Sequence, residues 1–199
     1  PITTLFFTAG IPGILDRSSR YCRIEGSLRY RPELPPLGYS DLTLQGGHIS
    51  GRVPYLLLKL HEGNGTYFYD PYAFSCMNFY EFSSDAWISF FYEHHFNGFL
   101  LGRVPLLKKL NWREVFVFKG VYGTLSARND GSLPNTKAVM LFPVGMSSVE
   151  HPYLETGFGI ENIFRLLRVD CIWRLTHHRA VPGLSIPTFT VNFSLNLKF

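Results

Sequence analysis

The chain has 199 residues, 46% of them hydrophobic, 16% aromatic and only 17% charged, with a formal net charge of +4. That length allows one domain with a sizeable core, and the shortfall from the roughly 25% charge of a soluble domain is made up by aromatic residues. No apolar run approaches the roughly 18 residues of a transmembrane helix, and the scattered Lys and Arg give little support to nucleic-acid binding.

The chain opens Pro-Ile-Thr-Thr, without Met or the basic start of a signal peptide, so a mature chain or the C-terminal piece of a longer protein is expected. Residues 2–9 read as a first strand. Cys22, Ile24, Leu28 and Tyr30 then alternate with Arg23, Glu25, Ser27, Arg29 and Arg31, and Leu42 and Leu44 oppose Asp41, Thr43 and Gln45. Side chains on a strand point alternately to its two faces, so each stretch has one apolar and one polar face. Residues 73–82, 86–96 and 112–122 are strand-like in composition, the last two apolar on both faces in places. Leu154, Thr156, Phe158 and Ile160 alternate with Glu155, Gly157, Gly159 and Glu161. Val169, Cys171, Trp173 and Leu175 alternate with Arg168, Asp170, Arg174 and Thr176.

The last strand, over 188–199, is the clearest. Phe189, Val191, Phe193, Leu195, Leu197 and Phe199 take every odd position, and Thr190, Asn192, Ser194, Asn196 and Lys198 the even ones. An edge strand of a soluble β-sandwich would also alternate, but such strands run to about 5–6 residues, whereas a tilted membrane strand needs roughly 9–11. The ending resembles the terminal sorting strand of bacterial outer-membrane barrels, with Phe193, Leu195, Leu197 and Phe199 as the sorting signal. The expectation is an all-β protein: an antiparallel transmembrane β-barrel of about nine strands over residues 1–199, forming the C-terminal portion of a larger barrel.

The connections repeat as well. Gly10-Ile11-Pro12-Gly13, Gly51-Arg52-Val53-Pro54 and Gly102-Arg103-Val104-Pro105 each precede a Leu-containing turn, and 161–168 is a degenerate fourth copy. A spacing of two strands per period would put all copies at one end, the periplasmic end if the last strand runs inward. Residues 123–152 and 177–187 would then be outer loops. Each copy reads either as an interfacial segment at headgroup level or as a buried connector anchored by its Leu residues.

Candidates for chemistry are few. Cys22, Cys76 and Cys171 have neither disulfide nor zinc-ligand spacing. His94-His95 and His177-His178 are neighbours, and on a strand neighbours point apart and cannot chelate one metal. Gly157-Phe158-Gly159 lacks the third Gly of a dinucleotide loop, and Gly145-Met146-Ser147-Ser148-Val149 lacks the second Gly of a nucleophile elbow. No catalytic, cofactor or metal residue is expected. The polar faces are more informative. Arg23, Glu25, Arg29, Asp41, Glu155, Arg168, Asp170, Arg174 and Lys198 would face the lumen with both signs mixed, as wall-stabilising pairs or anchors of a plug rather than a single-sign ion filter.

The runs Asn78-Phe79-Tyr80-Glu81-Phe82, His95-Phe96-Asn97-Gly98, Leu106-Leu107-Lys108-Lys109-Leu110-Asn111-Trp112 and Tyr122-Gly123-Thr124-Leu125-Ser126 carry a family resemblance. So do Pro152-Tyr153-Leu154-Glu155-Thr156-Gly157-Phe158-Gly159 and Arg168-Val169-Asp170. Together, over most of residues 40–199, they resemble the C-terminal barrel of a Bacteroidota outer-membrane family with an N-terminal carboxypeptidase-regulatory-like β-sandwich. The resemblance implies a larger parent chain, an outer-membrane location and no known catalytic residues. A relation to the outer-membrane insertases would call for an Arg-Gly-aromatic loop tip, and the chain has no Arg-Gly dipeptide. The expected role is non-enzymatic, in transport, protein export or envelope assembly. The alternative is a structural or accessory barrel that binds a partner through its periplasmic turns and surface loops; a hydrolase with a site at the rim ranks below both. The expected partners are outer-membrane lipid, further strands upstream or on a partner barrel chain, and the barrel assembly machinery during insertion.

Overall fold

The computed structural model describes residues 1–10, 20–132, 137–149, 151–179 and 185–195. In chain order its strands are β1 (Ile2–Gly10), β2 (Tyr21–Tyr30), β3 (Tyr39–Gly51), β4 (Lys59–Leu60), β5 (Phe82–Ser84), β6 (Ala86–His95), β7 (Arg113–Thr124), β8 (Ser147–Ser148), β9 (Tyr153–Ile163), β10 (Leu167–Arg174) and β11 (Phe189–Leu195). Eight of them form one antiparallel sheet in the order β1-β2-β3-β6-β7-β9-β10-β11, and the short β4, β5 and β8 form a second, small sheet. A single helical turn, α1 (Pro105–Lys108), lies between β6 and β7.

The register fixes which side chains share a face. Leu5, Ile24, Leu28, Leu44, Phe90, Phe118, Phe158, Cys171, Val191 and Phe193 fall on one face. Arg23, Glu25, Glu93, Lys119, Glu155, Asp170 and Asn192 fall on the other. Burial differs between the two faces. Leu5 is 75% exposed, Phe7 67% and Phe158 60%, while Lys119, Glu155 and Asp170 are fully buried. An apolar face left open across a whole sheet is the informative departure from the ordinary surface rule.

The charged face is concave. Arg168 Nη1 on β10 reaches Glu93 on β6 at 2.9 Å although β7 and β9 lie between them. Three strand spacings on a flat sheet would separate the two backbones by about 14 Å, so the sheet must curl toward this face. Gly47 helps here: a Cβ on it would stand 2.5 Å from the Trp87 ring, so the missing side chain is what admits Trp87. Gly159 does the same for Asp170, whose Oδ1 lies 2.2 Å from where a Cβ would be.

The expected strand over 73–82 is not a strand of the large sheet; Phe82 alone belongs to β5, Phe74 makes an isolated bridge with Gly63, and the rest are turns and irregular backbone. Ala73, Phe74, Ser75, Cys76 and Met77 are buried because residues 52–85 fold back across the concave face. Two clusters seal that contact. One is Phe74, Met77, Phe82, Phe91, Val121, Val149 and Tyr153, and the other Ile49, Val53, Leu58 and Trp87. A buried connector carries the same apolar composition as a strand, and composition cannot separate the two. The sheet therefore has eight strands where nine were expected.

That single difference moves the connections. β1, β3, β7 and β10 end, and β2, β6, β9 and β11 begin, at one end of the sheet, here the loop end, whereas β2, β6 and β9 end, and β3, β7 and β10 begin, at the other, the turn end. The repeated Gly-x-x-Pro segments are thus split, with 51–54 at the loop end and 102–105 at the turn end. They do not share an end. Nor is the sheet closed among the described residues. Among the described residues β1 pairs with β2 alone, and the free side of β11 meets Tyr67 and Tyr69, through Phe193 N–H to Tyr67 O at 2.7 Å and Tyr69 N–H to Phe193 O at 2.8 Å. Leu197, Lys198 and Phe199 lie outside the described residues.

Gly47→Ala should destabilise the fold by about 1–3 kcal/mol through overpacking against Trp87. Gly26→Ala, whose nearest neighbour would be an ordinary 3.8 Å contact with Leu5, should leave stability nearly unchanged. Denaturant unfolding of both variants checks the contrast, and equal losses would remove the role given to Gly47.

Candidate functional site

A segment crossing a sheet face makes no ladder, so its backbone groups need partners from elsewhere. Here charged side chains of the concave face supply them. Lys119 on β7 donates from Nζ to the carbonyls of Asp70 and Ala73, both at 2.7 Å. Glu155 on the neighbouring β9 accepts the N–H groups of Ser75 at 2.8 Å and Cys76 at 2.7 Å, and the Tyr153 hydroxyl at 2.6 Å. Arg174 on β10 donates to Cys76 O at 3.2 Å, to His177 O at 2.8 Å and to the Glu81 carboxylate at 2.5 Å. Asn192 on β11 donates to Thr66 O at 3.1 Å. The charge-assisted bonds of Lys119, Glu155 and Arg174 are about twice as strong as neutral ones, and with the neutral Asn192 bond they tie residues 66–81 to four strands.

A second cluster lies nearer the turn end. The Tyr69 hydroxyl donates to Glu93, and both Lys119 and Arg168 stand over the Tyr69 ring, at 4.3 and 4.4 Å. Arg168 also donates from Nε to Asp170 at 2.8 Å. His95 lies 3.2 Å from Glu161 and 3.6 Å from Glu93, stacked on Tyr39 with ring centroids 4.5 Å apart. A cavity of about 840 Å³ opens beside this cluster, lined by Arg29, Arg31, Asp41, Tyr72, Glu93 and His95 among others. Arg29 stands 4.5 Å over the Tyr72 ring, and Asp41 pairs with Arg31 at 2.5 Å.

At the loop end Asp85 accepts Ser126 N–H at 2.9 Å and Asn129 Nδ2 at 3.2 Å, while Asn129 Oδ1 accepts Val53 N–H at 3.0 Å. Both roots of the inward segment are thereby joined to residues 125–132. His61 is buried there, its Nε2 sharing a hydrogen bond with Ser84 Oγ at 2.9 Å while Nδ1 has no partner among the described residues. Burial, helped by nearby Lys59, pushes the His61 imidazole down to about 3. Burial pushes the Cys76 thiol up to about 12 and raises the Tyr69 phenol well above its ordinary range. Neither group has the ionised character of a nucleophile.

Of the sequence candidates, Glu155 and Arg174 anchor the inward segment directly, and Arg168 with Asp170 forms the Tyr69 cluster. Arg23 donates to Leu57 O at 3.3 Å and pairs with Glu25 at 2.5 Å, and Arg29 and Asp41 border the cavity. Lys198 lies outside the described residues. Alternation alone did not single out Glu93, Lys119 or Tyr69, because residues 86–96 and 112–122 are apolar on both faces in places. The available signal was Lys119 itself, the one charge between Val115 and Thr124. His94 and His95 do point to opposite faces, His94 bonding Ser40 Oγ at 2.8 Å and Leu37 O at 3.0 Å. His177 Nε2 meets His151 O at 2.8 Å rather than a Ser or Asp side chain. Among the described residues no group of three or more His, Cys, Asp or Glu is placed to hold a metal.

The fold and site define an all-β protein whose antiparallel sheet carries an inward-folded segment on a buried, charged face. The model of a family of unknown function, the DUF5686 C-terminal domain, matches residues 1–127, and the chain belongs to that family. The matched span runs from β1 through β7 and includes the whole inward segment. No match was found among curated proteins.

Glu155→Ala leaves the Ser75 and Cys76 amides without their buried acceptor and removes the negative charge that faces Lys119 across the strands. It should cost about 3–5 kcal/mol and strip exchange protection from those two amides first. Hydrogen exchange resolved over residues 69–81 checks this, and unchanged protection would contradict the anchoring role.

His61 supplies a pH test. Its folded pKa lies below its unfolded value of about 6.5, so above that pH it is neutral in both states and stability is unaffected. As pH falls from 6.5 toward 3 the unfolded chain takes up a proton that the folded chain refuses, and stability drops by up to about 1.4 kcal/mol per pH unit. Unfolding midpoints between pH 7 and pH 4 should fall less steeply for His61→Asn than for the parent chain.

Proposed function

We propose that this chain is part of an outer-membrane β-barrel with a non-enzymatic role in transport, protein export or envelope assembly, its concave face turned to the lumen and residues 52–85 serving as an inward plug. The observation that carries the reading is the reversed burial of the eight-stranded sheet. Large apolar side chains cover the convex face with nothing of the protein upon them, while Lys119, Glu155, Arg168, Asp170 and Arg174 are buried on the other. In lipid such a face is solvated, and in water it would be an aggregation surface. The free edge of β1 supports a continuation of the sheet, because hydrocarbon cannot satisfy unpaired backbone N–H and C=O groups. Further strands upstream or on a partner barrel chain would pair there during insertion by the barrel assembly machinery. The arrangement of ends agrees with a barrel of this type, with longer loops gathered at one end and a terminal strand running toward the other.

The plug favours a transport or export role over a purely structural one, since a wall needs no segment bound across its inner face. The alternative, an accessory barrel that binds a partner through its connections, draws support from Leu141 and Val144, which stand exposed in the connection that follows β7. Deletion of residues 64–80 separates the two readings. Increased permeability of the envelope to a small hydrophilic probe supports the plugged-conduit reading, and an unchanged permeability with the barrel inserted favours the accessory role.

Arg introduced at Phe158, on the convex face, should cost about 2–4 kcal/mol in bilayer-refolded protein, whereas Arg at Gln45, on the concave face, should be far milder. Equal costs in a folding titration into vesicles would remove the membrane reading.

A further inference from the structure

At the turn end, three connections that follow one another along the sheet leave large apolar side chains uncovered. They are Leu34 and Leu37 between β2 and β3, Leu100 and Leu110 between β6 and β7, and Phe164 between β9 and β10. Phe164 is 90% exposed. It and Arg165 sit at φ +50° and +64°, in the left-handed region that favours Gly or Asn. They are the central residues of the hairpin turn closed by Leu166 N–H to Ile163 O at 3.1 Å, which needs positive φ at both and holds their side chains out from the chain.

Interleaved with these residues are four exposed cations, Arg103, Lys108, Lys109 and Arg165. None of them has a carboxylate partner among the described residues. Arg103 instead lies 4.0 Å over the Phe99 ring. The stretch from Asn97 to Arg113 contains no acidic residue, and the next acid, Glu114, accepts the Leu101 N–H. Exposed Glu33 is the negative group of this rim, at the β2–β3 connection.

We propose that this rim binds the headgroups of anionic phospholipid. Its apolar residues would enter the boundary between headgroups and acyl chains, and Arg103, Lys108, Lys109 and Arg165 would meet phosphates. The inference rests on the reading of the sheet as membrane-embedded and adds to it the lipid class and the residues that select it. Two observations commit the surface to lipid. It lies at the end of the exposed apolar face of the strands, where a bilayer around that face has its headgroups, and its unpaired charges, four cations against Glu33, are in excess of the sign that attracts anionic lipid.

The test is reconstitution of the full chain into phosphatidylcholine vesicles with and without an equal share of phosphatidylglycerol, followed by detergent exchange and quantification of retained phospholipid. The chain should insert into both. Retained phosphatidylglycerol should exceed phosphatidylcholine by about fivefold for each headgroup contact made, and the enrichment should fall at high salt. Arg103→Gln with Lys108→Gln, Lys109→Gln and Arg165→Gln should insert normally and lose the enrichment. Insertion without enrichment in the parent chain, or enrichment kept by the neutralised variant, overturns the rim proposal and leaves the membrane reading standing. Insertion into neither vesicle overturns both.

Discussion

The structure depends on buried charges that are spent on backbone. Lys119 and Glu155 face each other across β7 and β9, both without exposed surface, yet each turns its hydrogen bonds to the inward segment. Lys119 holds two carbonyls and Glu155 holds two amides, and Arg174 closes the turn that follows. Taking such charges out of water carries a large desolvation penalty, which excellent geometry and complete hydrogen bonding can offset. A segment without ladder partners is the complement of that demand, because its backbone donors and acceptors must also be met. Each side satisfies the other.

From this pairing the rest of the architecture follows. To bring Arg168 within reach of Glu93 across two intervening strands, the sheet must curl, and Gly47 and Gly159 clear the space for Trp87 and Asp170 at the points of closest approach. Where the concave face is committed to contacts with the inward segment, polar at Lys119, Glu155 and Arg174 and apolar at Trp87, Phe91 and Val121, strand alternation leaves the residues of the convex side with no part in that contact. Under the proposed membrane reading that convex side meets lipid. The edges fit the same logic. Tyr69 joins the two halves of the arrangement, its side chain fixed by Glu93 and its backbone N–H bonded to β11.

How much was legible in the sequence varied with how strictly each strand alternates. β2, β9, β10 and β11 could be read with their faces, because apolar residues alternate there with charged, polar or Gly residues. β3 could be read only over 41–45, since Gly46 and Gly47 carry no side chain to mark a face. β6 and β7 showed as strands but hid Glu93 and Lys119, because the concave face there also carries Phe91, Val115 and Val117 for the core. The inward segment was not legible at all. Burial of Phe74, Cys76 and Met77 is a tertiary effect, and their composition matches a strand as well as a packed connector. One strand too many then reversed the polarity of every element before it, which is why the two Gly-x-x-Pro connections at 51–54 and 102–105 were expected at the same end.

The central claim is that the convex face is solvated by lipid, and the tryptophans offer a direct measurement. Trp173 stands on the convex face and is 42% exposed, while Trp87 is buried on the concave face. In a chain carrying Trp87→Phe and Trp112→Phe, with Trp173 as the remaining tryptophan, fluorescence is to be recorded in vesicles of brominated and unbrominated phospholipid and against aqueous iodide. The account predicts strong quenching by the brominated acyl chains and little by iodide. Quenching by iodide with none from brominated lipid would place that face in water and contradict it.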